Sequence, residues 1–318
     1  MRVHVFFHDR CFDGLSAAAT FSRFFRERIE PDATFTYRGL THRAGSSWSP
    51  DLFTDAPVHA CVDFRYSPSE KLTWWFDHHQ SAFERPEDEA VFHSRAGQKH
   101  FWDPSAKSCT KFLARVVEEK FGFDPRPMAE LVGWAEVIDG ALFPDAKTAV
   151  ELAAPAMKLM LLAEATTDTE LIPRLIRDLT ERSLSDVVDE PYVLEPLRPV
   201  LEEHWKTLEK VRARARMDGK VCTFDLADEE RDGFNKFFSY YLFPEALFTV
   251  AVSRGAKRAK VSVGSNPWRQ GERRHNIAAI CESYGGGGHP AVGAVSFPPD
   301  RLDDARQAAR EIVERLNS

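Results

Sequence analysis

An α/β fold in two units, joined by a helical stretch, is what this 318-residue sequence predicts. Three observations carry that expectation. Short apolar runs rich in β-branched and aromatic residues alternate with a helical pattern through the first eighty residues, which favours a mainly parallel sheet flanked by helices. A charged, periodic segment follows around residues 189–216. Beyond it, strand signals return and lead through a glycine cluster to a last amphipathic helix, the pattern of a smaller α/β unit.

In order along the chain, VHVFF (3–7) reads as a first strand, and Asp13-Gly14 as a turn. LSAAATFSRFFRER places Ala and Phe at helical spacing, so an amphipathic helix follows the turn. TFTYRG (34–39), HACVDF (59–64) and LTWWF (72–76) are further strands. From about 105 to 165 the pattern is helical: SAKSCTKFLARVVEEKF opens on a serine cap, and PMAELVGWAEVID on a proline suited to a first turn. PYVLEPLRPVLEEHWKTLEKVRARAR (191–216) reads as a connecting helix broken early by its prolines. KVCTFDL, LFTVAVS, AKVSVGS and GAVSF are the later strands, and the last helix runs to 317. The expected division is 1–188, a connector over 189–216, and 217–318. The aromatic pairs Phe24-Phe25, Trp74-Trp75 and Phe237-Phe238 are expected in cores.

Composition narrows the function classes. A formal charge of −7 argues against a broad basic surface for long nucleic acid. Five cysteines without a CxxC pair read as reduced thiols rather than a disulfide framework. The N-terminus becomes polar too early for a signal peptide, and no apolar run reaches the ~20 residues of a membrane span. The expectation is a soluble cytoplasmic protein with no membrane partner; its oligomeric state is left open, a dimer being allowed.

The chemistry gathers where strands end. FFHDRCFDG follows the first strand, VDF closes the third, and FDHH follows the fourth. In an open parallel sheet, ligands bind beyond the carboxyl ends of the strands. His8, Asp13, Asp63, Asp77, His78 and His79 are therefore expected to converge, with Asp139 added from the end of WAEVID. Carboxylates mixed with imidazoles suit manganese or magnesium, whereas a structural zinc site would call for paired thiolates.

HDRCFDG, VDF, DHH and VID in this order, followed much later by GGGGHPAVGA, resemble the DHH phosphoesterase superfamily. That superfamily includes RecJ-like exonucleases, nanoRNases, nucleotide phosphatases and exopolyphosphatase-related proteins. The motifs span residues 8 to 294, and the last is similar to the glycine-rich signature of the accessory domain called DHHA1. The resemblance implies a DHH domain, a helical connector and a DHHA1-like domain. It also implies a hydrolase that activates water with two divalent cations, manganese first and magnesium second. His8 and Asp63 would hold one cation; Asp13, Asp63, His78 and Asp139 would hold the other, with Asp63 shared. Asp77 would orient His78, and His79 would face the phosphate or protonate the leaving oxygen.

The first motif departs from the usual Asp-x-Asp, placing Cys11 where a ligating carboxylate is expected, in a Cys-x-Asp-Gly form. A thiol ligand would shift preference away from magnesium; Cys11 as a small buried hydrophobe is the alternative. Relatives often carry Arg-Ser where this chain has Gly264-Ser265, so Arg254, Arg269, Arg273 or Arg274 would replace the missing guanidinium, and Trp268 would offer a stacking face. Gly286, Gly287 and Gly288 allow close backbone approach to a phosphate. With His289, Ser265 and Asn266 they form the expected substrate-binding set.

The expected activity is hydrolysis of phosphate esters in small nucleotides or short oligonucleotides, of the 3′-5′ exonuclease, oligoribonuclease or nucleotide phosphatase type. The substrate is expected in a cleft between the two domains. The alternatives are a polyphosphate or pyrophosphate hydrolase, and a nucleotide-binding protein with a degenerate site.

Overall fold

The computed structural model describes residues 1–42, 47–231 and 233–318. Its two compact units are residues 1–142 with 153–198, and residues 143–152 with 199–318. Among the described residues, no helix is long and apolar enough to cross a membrane.

The first unit is built on five strands, β1 (Arg2–His8), β2 (Thr34–Leu40), β3 (Val58–Val62), β4 (Leu72–Asp77) and β5 (His100–Trp102). They lie in the order β2-β1-β3-β4-β5, and every pairing is parallel. All carboxyl ends therefore lie along one edge. The chain leaves β1 to one side for β2 and returns to the other side for β3. The gap beyond β1 and β3 is thus a topological switch point, where open α/β sheets bind ligands.

Burial on both faces explains the near-continuous apolar strands. Along β4, Trp74 meets Phe21, Phe24 and Phe25 of helix α1 (Phe12–Arg28). Trp75 points to the opposite face, against Tyr66 and Phe92. Helix α1 is buried almost all round, which its Ala17-Ala18-Ala19 run permits. It begins at Phe12, so Asp13-Gly14 lies in its first turn rather than in a turn before it. Strand β3 stops at Val62, leaving Asp63 and Phe64 beyond it.

Helix α2 (Pro86–Arg95) and strand β5 have no counterpart in the sequence expectation. Helix α3 (Cys109–Phe121) is capped by Ser108, whose hydroxyl accepts from the Lys111 amide at 3.0 Å. The proline expected to start α4 (Ala129–Asp139) lies in a short 3₁₀ turn before it, Arg126–Met128.

Helix α5 (Ala146–Glu151) belongs to the second unit, and α6 (Pro155–Ala165), α7 (Leu171–Leu179) and α8 (Leu184–Val188) to the first. Helix α9 (Pro191–Arg214) runs without a break, which corrects the expected interruption at Pro196 and Pro199. Each proline removes one backbone donor, and burial of Val193, Leu197, Leu208 and Val211 along the helix offsets that loss. The helix passes from the first unit to the second after Arg198.

The second unit carries a six-stranded sheet of β6 (Arg216–Asp218), β7 (Val221–Glu230), β8 (Phe248–Arg254), β9 (Ala259–Ser265), β10 (Gly287–His289) and β11 (Val292–Phe297). Its order is β10-β11-β9-β8-β7-β6, antiparallel except for β7 with β8. The short α10 (Phe238–Leu242) and α11 (Ile277–Glu282) precede the amphipathic α12 (Leu302–Asn317). Helix α12 buries Ala305, Ile312 and Leu316 in a core shared with Val250, Val261 and Val295.

Two histidines in the first unit are built in as neutral rings. His4 is hydrogen-bonded to Thr36 at 2.7 Å; burial first, then His59 and Arg38, brings it down to about 4. His100 is hydrogen-bonded to Tyr66 at 3.2 Å; burial, then Arg95, brings it down to about 4 as well. The unfolded chain protonates both near pH 6.5, before the folded protein does, so stability falls with pH from about 6.5 to 4. Solvent screening reduces the full value of about 3 kcal/mol, leaving an expected loss on the order of 2 kcal/mol for each ring. Denaturant midpoints across that range should drop in the native protein and drop less in His100→Gln; parallel profiles would contradict these assignments.

Candidate metal centre

The side chains predicted to meet do meet at the switch point. His8 ends β1, and Cys11 stands as the residue before α1, its backbone extended and its side chain making no cap bond. Asp13 sits in the first turn of α1. Gly14 is required there because a Cβ would lie 2.3 Å from the His8 carbonyl oxygen. Asp63, directly after β3, adopts a left-handed backbone with φ of 58°. Non-glycine residues are held that way at a cost of order 1–3 kcal/mol, mostly at functional sites. Its amide donates to the Phe76 carbonyl at 2.9 Å, which ties the bend to β4.

Three carboxylates surround one imidazole. His78 Nε2 lies 3.4 Å from Asp63 Oδ1, 3.4 Å from Asp139 Oδ2 and 3.7 Å from Asp13 Oδ2. On the far side of Asp63, His8 Nδ1 is 3.5 Å from Oδ2. Among the described residues, four triads have ligand atoms within 4.8 Å of one another: His8–Cys11–Asp63, Asp63–His78–His79, Asp13–His78–Asp139 and His8–His42–His79. His42 is the member that sequence reasoning missed. It stands two residues beyond the end of β2, so the strand-end rule that found His8 and Asp63 applies to it too.

Local structure aims each group. Asp13 accepts from the amides of Cys109 at 2.6 Å and Thr110 at 3.0 Å, the N-terminus of α3, which favours a carboxylate. His78 donates Nδ1–H to the Ala106 carbonyl at 3.1 Å, leaving Nε2 toward the carboxylates. Asp77, fully buried, accepts from the His79 ring at 2.7 Å and from the His78 amide at 2.8 Å. Asp77 thus orients His79, not the His78 ring as expected. The two histidines share an amide anchor on Asp77, but their rings point to different partners.

Electrostatics mark the site as short of positive charge. Burial, then Asp63 and Asp139, pushes Asp13 well above the usual carboxylate range. Burial and Asp63 raise Asp139 to about 6. Asp63 is also buried, yet His78 and His8 hold it well below its ordinary value. His78 is raised against burial to about 10, chiefly by Asp63. Asp77 likewise outweighs burial at His79, raising it to about 9. Burial first, then Asp63, Asp13 and Asp139, keeps the Cys11 thiol protonated.

Both oxygens of Asp63, His8 Nδ1 and His78 Nε2 are buried without a hydrogen-bond partner among the described residues. Such orphaned groups are costly unless something ligates them. Divalent cations fit this donor set, because they supply the missing charge and the missing partners together. His8, Cys11 and Asp63 could hold one, and Asp13, Asp63, His78 and Asp139 another.

The residues singled out in the second unit have local structural work. A Cβ at Gly286 would lie 2.2 Å from the Ala294 carbonyl oxygen, and one at Gly288 2.2 Å from that of Val292. These two glycines let β10 lie against β11. Gly287 faces open space, and His289 is exposed. Ser265 donates its hydroxyl to the Ala291 carbonyl at 2.9 Å. Asn266 donates to the Ala246 carbonyl at 2.9 Å and accepts from the Trp268 amide at 3.0 Å. Both polar side chains are buried and committed to the scaffold. Trp268 donates to the Phe143 carbonyl at 2.7 Å, packs at a tilt on Phe237 and is half-buried. Arg269 is paired with Glu272 at 2.7 Å. Gly264 faces Tyr240, whose hydroxyl oxygen would lie 3.2 Å from a Cβ, so a long side chain there would meet that ring.

Gly14→Ala should cost about 1–3 kcal/mol through overpacking against His8. It should also weaken manganese binding by separating the Cys11–Asp13 turn from β1. Thermal denaturation and calorimetric manganese titration check this; native stability with native affinity would contradict the packing account.

No protein-family model matches the chain, and no curated protein matches it by sequence. Solved structures do match. The pGpG-specific phosphodiesterase PggH from Vibrio cholerae aligns with a TM-score of 0.69 at 20% identity, covering 99% of this chain and 98% of that one. The DHH domain of a member of the s1p family of ribosomal proteins aligns at 0.59 and 13% identity, covering 100% and 87%. RecJ from Thermus thermophilus, solved with Mn²⁺, aligns at 0.51 and 13% identity; this chain covers 52% of its length. These structural neighbours are DHH-family proteins, and the chain has their α/β fold.

Proposed function

We propose that the protein is a divalent-metal-dependent phosphoesterase acting on small nucleotides, with linear dinucleotides as the leading substrates and short oligonucleotides or 3′-phosphorylated nucleotides after them. The observation that carries this reading is the cluster of Asp13, Asp63 and Asp139 around His78, with both Asp63 oxygens lacking partners. Its position at the switch point of a fold shared with a pGpG-specific phosphodiesterase supports the choice of substrate class.

In this reading His8, Cys11 and Asp63 hold one cation, and Asp13, Asp63, His78 and Asp139 hold the second. Two bound cations supply an activated water and neutralise charge on the phosphoryl oxygens. The protein's own groups do the rest. The amides at the start of α3 fix the Asp13 carboxylate, and the Ala106 carbonyl fixes the tautomer of His78. Asp77 accepts from His79 Nδ1–H and favours the doubly protonated ring, so that Nε2–H can give its proton to the leaving oxygen as general acid. Manganese suits the mixture of carboxylates, imidazoles and a thiol better than magnesium. In the second unit, open Gly287 and exposed His289 are the proposed phosphate contacts.

A manganese-loaded substrate panel of pGpG, pAp, short oligonucleotides and polyphosphate tests the assignment. Turnover of dinucleotide is expected, and Asp63→Asn should lower it at least ~10³-fold, about 4 kcal/mol of lost transition-state stabilisation. Phosphate release from polyphosphate without attack on dinucleotides would overturn the substrate class. Equal turnover by Asp63→Asn would overturn the metal role of Asp63.

A further inference from the structure

His42 does not belong to either cation set above, yet it stands against both flanking imidazoles. Its ring centroid lies 5.0 Å from that of His8 and 6.0 Å from that of His79, and the His8 and His79 centroids are 5.9 Å apart. One ligand nitrogen from each ring falls within 4.8 Å of the others. Three imidazoles around a tetrahedral ion with metal–nitrogen bonds near 2.0–2.1 Å would have ring centres roughly 5 Å apart. The ligating nitrogens at such an ion lie roughly 3.4 Å apart, so a contraction of at most about 1.5 Å between the three nitrogens completes such a site.

Two features hold the rings ready. The His42 ring is stacked on Phe64 at 4.7 Å with an interplanar angle of 19°. His79 gives its Nδ1–H to the buried carboxylate of Asp77, the arrangement that commonly stands behind a metal-binding imidazole. Nε2 of His79 is then the ligating nitrogen of a neutral ring. We propose that His8, His42 and His79 form an alternative, all-imidazole cation position that takes borderline ions such as zinc, nickel or cobalt in preference to magnesium or manganese.

The donor set decides the preference. Imidazole suits zinc, copper and nickel, whereas magnesium and manganese favour carboxylate and water oxygens. A neutral imidazole has one lone pair, so His8 serves either Cys11 and Asp63 or His42 and His79, not both at once. The all-imidazole position thus competes with the Asp63-side cation rather than adding to it. If His79 is the general acid proposed above, occupancy also withdraws its Nε2 from the substrate.

Calorimetric titrations of the metal-stripped full chain with Zn²⁺, Ni²⁺ and Mn²⁺ test the proposal in the native protein, His42→Gln and Cys11→Ser. His42 is exposed, and a thermal melt verifies that the variant is folded. His42→Gln should weaken zinc and nickel at least tenfold and leave manganese within about twofold. The visible spectrum of the Co²⁺-loaded protein should lose the intensity due to the all-imidazole position in the same variant, while bands from Co²⁺ at the carboxylate-containing sets remain. Unchanged zinc and nickel affinity in His42→Gln would overturn the proposal. So would an equal loss for manganese and zinc, or a zinc preference lost in Cys11→Ser but kept in His42→Gln. None of these readouts needs turnover, so failure here is distinguishable from failure of the phosphoesterase assignment.

Discussion

Three carboxylates converging on the His78 ring are the constraint that organises the first unit. Asp13 and Asp63 are almost fully buried, and carboxylates packed this closely cannot all stay ionised without added positive charge. A proton on His78 meets part of the demand, with Asp139 and Asp13 pushed upward for the remainder. Cations would meet it more fully, since they also satisfy the orphaned oxygens of Asp63. Much of the surrounding structure holds this unfavourable charge in place. Gly14 lets α1 close against His8, Asp63 is kept left-handed by its bond to Phe76, and the start of α3 receives Asp13.

The sheet makes this convergence possible from residues far apart in sequence. With every strand parallel, the ends of β1, β3 and β4 arrive at one edge, and the reversal between β1 and β3 opens space there. The aromatic packing of Trp74 and Trp75 on opposite faces of β4 fixes the strand that delivers Asp77, His78 and His79. Strain at Asp63 is tolerable because both neighbouring strands are locked by such burial.

Strand ends were legible in the sequence because a polar residue after an apolar run stands out, and His8, Asp63 and His78 are all of that kind. The four strands β1, β2, β3 and β4 and the long helix α1 were legible for the same reason of pattern. Other features depend on tertiary partners that no local pattern encodes. Asp77 was expected to serve His78, but the turn after β4 swings the His79 ring back onto it. The prolines of α9 read as breaks because isolated propensity opposes them, and burial of one helix face outweighs it. His42 was legible in principle, by its place after β2, yet lacked a motif to draw attention.

The second unit gives the complementary lesson. Glycine runs and short polar residues suggest ligand contacts, but Gly286 and Gly288 are needed for strand approach, and Ser265 and Asn266 for backbone anchoring. Gly287 and His289 pair with Ala294 and Val292 in the same ladder, but a Cβ at Gly287 would meet open space and the His289 side chain is exposed. The proposed chemistry requires Asp63 to be shared between two cations. Anomalous diffraction from a manganese-soaked crystal measures this most directly. Two anomalous peaks flanking the Asp63 carboxylate are predicted, one beside His8 and Cys11 and one beside Asp13, His78 and Asp139. A single peak, or none in contact with Asp63, would contradict it.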